Sequence, residues 1–218
     1  KYPELDIHKT LYDDVLYRDI AARYGIENVK SFQELAFYLV SNTATKISFN
    51  KLKGSLKLGS VNTVKKYIGF LENAWLFFTI NKYACSVKEQ QIAAKKIYGV
   101  DTGLINSVGF SFSANKGNLL ENLVFLQLRR KFTDIYYYKT DRNHEVDFFI
   151  PSQNLALQVC QDLSDESTKE REIRSLVELA EEQGNRPQLQ VITLRDKDEV
   201  QVDGTTISVL PLYEWLLI

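Results

Sequence analysis

Apolar residues recur at helical spacing through the first third of the chain and gather into short, β-rich runs later. Leu5, Leu11, Val15, Leu16 and Ile20 predict a helix over residues 5–24, with Gly25 as its stop. A second helix starts at "SFQE", where Ser31 and Glu34 can cap each other's backbone N–H groups, and its apolar face is Phe32, Leu35, Ala36, Leu39 and Val40. After the short segment "ISFNKLKGSL" and the break "KLGS", "VNTVKKYIGFLENA" reads as a third helix with Ser60 as N-cap. Val61, Val64, Ile68, Leu71 and the following Trp75 share one side of it, and Asn62, Thr63, Lys65 and Lys66 the other. "WLFFTINKYACSV" is aromatic and β-branched enough for a strand, and Lys82 to Gln91 supplies a polar turn or wing.

From residue 92 the pattern changes to strands with intervening helices. "KKIYGV" predicts a strand, "DTGLIN" a turn opening a helix, and "GNLLENLVFLQLRRK" a helix that is apolar on most of its surface. Three strands follow, "IYYYK", "EVDFFI" and "LALQVC", then a charged helix, "ESTKEREIRSLVELAEEQ". In that helix Ile173, Leu176, Val177 and Ala180 are expected to face inward, with Gly184 past its end. The tail holds "LQVITL" and a hairpin whose Asp203-Gly204 turn suits type I′ geometry. The order predicts an α/β (α+β) fold in three parts: linker helices over 1–30, a winged helix-turn-helix over 31–91, and a mixed sheet flanked by helices over 92–218.

Charge sharpens the reading of the helical part. The formal net charge is -1, yet residues 1–100 sum to +6 and residues 101–218 to -7. Between Lys46 and Lys96 stand ten bases and only two acids, Glu72 and Glu89. Such a local excess is a footprint for a polyanion, against the plainer reading of a solubilising face. In a winged helix the N-terminal half of the third helix enters the major groove, short polar side chains reach base edges, and lysines hold phosphates. Ser60, Asn62, Thr63, Lys65, Lys66 and Lys82 are the candidate DNA-contacting residues. Three-helix units of this kind also serve as protein-docking modules, and that alternative stands.

Composition narrows the chemistry. Two cysteines, Cys85 and Cys160, and two histidines, His8 and His144, offer neither a disulfide framework nor a paired zinc spacing. Apolar runs such as "AWLFFTI" fall far short of the roughly 20 residues of a membrane span. No leader opens the chain, which predicts a soluble cytoplasmic protein with no membrane partner. A start at Lys1 suggests a fragment of a longer protein. The nearest approach to a P-loop, "GSLKLGSV", has Ser60 where lysine is needed, so no nucleotide hydrolysis is expected of this chain and no cofactor is implied within it.

"HEVDFFIPSQNLALQVC", residues 144–160, carries the most suggestive chemistry. Alternation puts Glu145 and Asp147 on one face of the first strand, and Gln158 and Cys160 share a face of the second. Paired as a hairpin, these strands let Asp147 approach Gln158, with Glu121 of the preceding helix above them, an acid whose helix neighbours Gly117, Val124, Phe125 and Leu128 are apolar and which therefore calls for a partner. A metal-dependent nuclease uses such a hairpin, with oxygen ligands for magnesium and a lysine to orient the attacking water. Gln158 still offers a neutral carbonyl oxygen; Cys160 cannot replace a lysine's charge. Glu121, Asp147, Gln158 and Cys160 thus outline a degenerate site. A noncatalytic remnant is expected, with weak Mg2+ contact at Glu121 and Asp147 at most.

Taken in order, "LYDDVLYRDIAARYGI", "ELAFYLVSNTATKISFNKLKGSL", "VNTVKKYIGFLENAWLFF", "KKIYGVDTGLIN", "GNLLENLVFLQLRR", "YYYKTDRNHEVDF" and "LQVCQDLSDESTKEREIRSL" resemble the C-terminal region of a prokaryotic AAA+-type ATPase family. In that family this region, domain of unknown function 4143, follows the nucleotide-binding module. The resemblance covers nearly the whole chain. It implies a linker region, a winged helix and a restriction-endonuclease-like domain with a PD-(D/E)xK-type motif at Glu121, Asp147, Gln158 and Cys160. It also implies an ATP-binding module before Lys1, DNA and that module as partners, and room for a homo-oligomer. Three functions follow as expectations: a DNA-engaging region of an ATPase, a magnesium-dependent endonuclease with a divergent site, or a protein-interaction module.

Overall fold

The computed structural model describes residues 4–109, 116–184 and 186–217, with side chains from residue 7 onward. In chain order the elements are α1 (Glu4–Asp14), a π-helical stretch (Val15–Ala21), α2 (Ala22–Tyr24), α3 (Val29–Ser41), β1 (Thr45–Ile47), α4 (Phe49–Ser55), α5 (Val61–Asn73) and β2 (Phe77–Lys82). Then come α6 (Val87–Ile92), β3 (Lys95–Gly99), α7 (Thr102–Val108), α8 (Lys116–Lys131), β4 (Tyr136–Lys139), β5 (Glu145–Ile150), β6 (Leu155–Val159), α9 (Glu166–Gln183), β7 (Gln188–Thr193), β8 (Asp198–Val202), β9 (Thr205–Pro211) and α10 (Leu212–Trp215). The class is mixed α/β. Among the described residues no helix is long and apolar enough to cross a membrane.

The chain forms two compact units, Lys1–Thr79 with Ala94–Asn122, and Ile80–Ala93 with Leu123–Ile218. The chain passes between units after Thr79, Ala93 and Asn122.

In the first unit, helix runs from Glu4 to Tyr24 and stops at Gly25, whose φ of 58° is the left-handed conformation that ends helices. The π-helical widening shifts the apolar face: Tyr12, Leu16 and Ile20 are buried, while Leu11 is 52% exposed. The side chain of Leu5 lies outside the described ones. α3 starts two residues before the expected capping box. Asn28 is its N-cap and accepts from the Ser31 N–H at 3.1 Å, the task expected of the Ser31–Glu34 pair. Ser60 caps α5 as expected, accepting from Thr63 N–H at 3.0 Å. Trp75 departs from the expected apolar face. α5 ends at Asn73, and Trp75 takes a φ of 59° that turns its ring outward to 64% exposure. Phe32, Leu35, Leu39, Val64, Ile68 and Leu71 fill the core between α3 and α5. β1 pairs antiparallel with β3, through Thr45↔Ile97 and Ile47↔Lys95. The expected polar turn between Lys82 and Gln91 contains the short helix α6.

In the second unit the strand order is β4-β5-β6-β7-β9-β8, with Asn81 and Lys82 at the end of β2 pairing parallel with β4. β5 and β6 form an antiparallel hairpin, with Phe148↔Leu157 and Ile150↔Leu155 opposite one another. A 3₁₀ turn at Pro151–Gln153, closed by Asn154 at φ 48°, sets that register. β6, β7 and β9 run parallel to one another, and β8 pairs antiparallel with β9 through a turn with positive φ at both Asp203 and Gly204. This is the type I′ signature. α9 packs on the sheet through Leu176 and Leu179, which join Val146, Phe149, Val191 and Ile207 in the core.

Candidate functional site

β5 alternates as predicted for its first four residues, with Glu145 and Asp147 half-buried and Val146 and Phe148 buried. The hairpin register brings Asp147 opposite Gln158, and there the side chains take over from the backbone ladder. Asp147 N–H donates to Gln158 Oε1 at 2.7 Å, and Val159 N–H donates to Asp147 Oδ2 at 3.0 Å. The other end of the Gln158 amide donates to Glu145 O at 3.1 Å, Glu172 Oε2 at 2.6 Å and Ser175 Oγ at 3.0 Å. Gln158 is only 4% exposed, and a buried amide needs such partners. One neutral side chain thus accepts from one strand and donates to both that strand and α9. A glutamate here would have no N–H to give.

Glu172 and Ser175 are the residues that sequence reasoning missed. α9 buries Glu172, Ser175, Leu176 and Leu179, at offsets of three, four and seven residues. Val177 and Ala180, expected inside, are half-buried. The signal was available: the apolar period passes through an acid and a serine. Glu172 Oε1 receives Arg171 at 2.6 Å. Burial, helped by the charge of Asp147, raises the Glu172 carboxyl above its ordinary range, while Arg171 pulls the other way. Burial also pushes the Cys160 thiol up to about 12, with Glu172, Asp147, Asp196 and Asp162 adding to the effect. Burial and the neighbouring acids thus disfavour the thiolate form of Cys160.

Glu121 belongs to the first unit, where Lys96 Nζ lies 2.9 Å and Tyr98 Oη 2.7 Å from its Oε1. Lys96 and Glu121 are both buried, so the acid flagged for its apolar neighbours has its partner on β3. Asn122 beside it joins β3 at Gly99 through both ends of its amide, at 2.8 and 3.1 Å.

These arrangements test the fit of a magnesium ion. Gln158 Oε1, Asp147 Oδ2 and both Glu172 oxygens each accept a hydrogen bond from the protein. Among the described residues no group of three or more His, Cys, Asp or Glu is placed to hold a metal. These oxygens are already engaged in hydrogen bonds within the protein.

A second cluster ties the β4–β5 turn to α9. Buried Glu178 accepts from Thr140 Oγ1 at 2.8 Å, Arg142 at 3.3 Å and the His144 ring at 2.8 Å. Burial is the largest influence on the Glu178 carboxyl and raises it, but these donors together outweigh burial and leave it below its ordinary range.

The candidate DNA-contacting residues divide. Asn62, Lys65 and Lys66 are exposed on α5. Lys65 lies over the Phe49 ring and Lys66 over the Phe70 ring, at 5.9 and 5.7 Å. Ser60 Oγ and Thr63 Oγ1 bond one another at 2.9 Å as part of the cap. Lys82 pairs with Glu89 at 2.8 Å, and buried Lys96 leaves the basic surface altogether. Lys51, Lys53 and Lys57, exposed on and just after α4, take their place beside Lys65 and Lys66 in sequence. No acid stands between residues 51 and 66.

Residues 2–116 match a domain of unknown function, DUF8612, and residues 116–215 match another, DUF4143. The uncharacterized protein MJ1544 of Methanocaldococcus jannaschii is 34% identical, over 97% of this chain and 50% of its own length. An uncharacterized protein of Haemophilus influenzae is 28% identical, over 95% of this chain and 51% of its own. The chain spans about half the length of these curated relatives. No solved structure gives a significant match.

Proposed function

The chain belongs to the DUF8612 family and carries a DUF4143 domain over residues 116–215, and from that premise we propose that it is the DNA-engaging region of a prokaryotic AAA+-type ATPase. In this reading α3, β1, α4, α5, β2 and β3 make a winged helix, α5 enters the major groove, and the nuclease-like sheet of the second unit supports the fold without cleaving DNA. The carrying observation is the basic surface of α4 and α5, five exposed lysines with no acid among them. Element order supports it too: helix, short strand, two helices, a strand, the short helix α6 and a further strand, with β1 antiparallel to β3. Phosphates are met by such lysines, and Asn62 is the exposed amide for a base edge.

Replacing Lys65 and Lys66 together with alanine should weaken duplex binding and lower the salt slope by about one unit for each phosphate that is no longer neutralised. Both side chains are exposed, so folding should survive. The check is fluorescence anisotropy of a labelled duplex across a salt series; an unchanged slope in the double variant would remove α5 from the interface.

A further inference from the structure

The second unit carries a cleft of about 540 Å³ between α9 and β8. Ile173 and Val177 of α9 and Val200 and Val202 of β8 give it an apolar lining. Five acids, Glu166, Glu170, Glu178, Glu181 and Asp203, line it against three bases, Arg142, Lys169 and Arg174. Each base already has an acidic neighbour: Arg142 at Glu178, Arg174 at Glu170 and Lys169 at Asp198, at 3.3, 3.7 and 3.9 Å. The cleft is therefore acidic overall. β8 stands outermost in the strand order of its sheet and pairs with β9 on one side. An outermost strand presents backbone N–H and C=O groups to a further strand.

We propose that this cleft binds an extended, basic segment of a partner protein, which adds to β8 as an antiparallel or parallel strand. Alternate apolar side chains of that segment enter over Val177, Val200 and Val202, while the lysines or arginines between them lie on the opposite face beside Glu199 and are drawn in by the acidic surroundings of the cleft. A second copy of this chain does not fit the same place. Residues 101–218 sum to -7, and two such acidic faces brought together repel one another. The cleft volume lies within the roughly 300–1,000 Å³ typical of ligand clefts, enough for a few side chains.

The probe is a seven-residue peptide of alternating lysine and valine, titrated calorimetrically into the full 218-residue chain, with amide hydrogen exchange read on β8. Binding is expected together with slowed exchange between Asp198 and Val202. A peptide of the same charge with prolines replacing its valines, which loses the N–H at each of those positions and cannot hold a regular strand, should bind about tenfold more weakly or not at all. An alternating glutamate and valine peptide should not bind. Val177→Lys, at a half-buried position on the helix surface, should cost about tenfold in affinity for the lysine–valine peptide, with an unchanged melting temperature confirming the fold. Equal binding of the proline peptide, exchange at β8 that does not slow, or self-association through β8 would each overturn the proposal.

Discussion

Changing Gln158 to glutamate is expected to make the chain most stable in acid and to cost about 3–5 kcal/mol by neutral pH, the scale of an uncompensated buried charge. The native amide donates to Glu172 at 2.6 Å, to Ser175 and to the Glu145 carbonyl. A carboxylate there donates nothing and faces a second carboxylate whose own affinity for protons burial already raises. Burial and like charge raise the folded pKa of the new pair above the unfolded value of about 4.3. The stabilisation is then fully present below that unfolded value and is lost as pH rises through the folded one. Gln158→Met provides the contrast, losing the same hydrogen bonds without adding charge. Urea denaturation at pH 5 and pH 8 should show a strong loss on raising pH for the glutamate variant and little pH effect for the methionine one. Equal losses at both pH values would mean that the amide's donors do not matter as described.

Lys96→Met should be comparably damaging, about 3–5 kcal/mol, because it strands the Glu121 carboxylate in the core. The lysine side chain is 3% exposed and the glutamate side chain 11%. Tyr98 would remain as a donor, which softens the loss without neutralising the charge. Adding Glu121→Gln to Lys96→Met removes the orphaned charge and should restore a large part of the stability. Thermal or urea unfolding of the two single variants and the double gives the coupling between the sites. Strictly additive losses would show that the 2.9 Å ion pair is not what the two residues contribute.

How far the sequence foretold these arrangements depends on the range of the forces involved. The Asp147–Gln158 meeting was legible because a period-two pattern, a short turn and strand pairing are local, and a hairpin's register follows from its turn. The cap at Ser60 and the stop at Gly25 were local as well. Glu121 could be recognised as an acid in need of a partner; that the partner is Lys96, 25 residues earlier on β3, comes from the tertiary fold. Glu172 was hidden for another reason. It sits in a helix of alternating charge, where one more acid reads as surface, although Ser175, Leu176 and Leu179 share its face. Trp75 misled because heptad counting continued past Asn73, where α5 ends.

At the motif positions in the hairpin Gln158 is a structural hub and Cys160 a buried thiol. The most direct test of that account is incubation of the purified chain with supercoiled plasmid in magnesium or manganese, followed on a gel. Plasmid shifted by binding but recovered intact after deproteinisation is the expected result. Nicking by the wild type that both Asp147→Ala and Glu172→Gln abolish would contradict it, and would make this hairpin a working nuclease site.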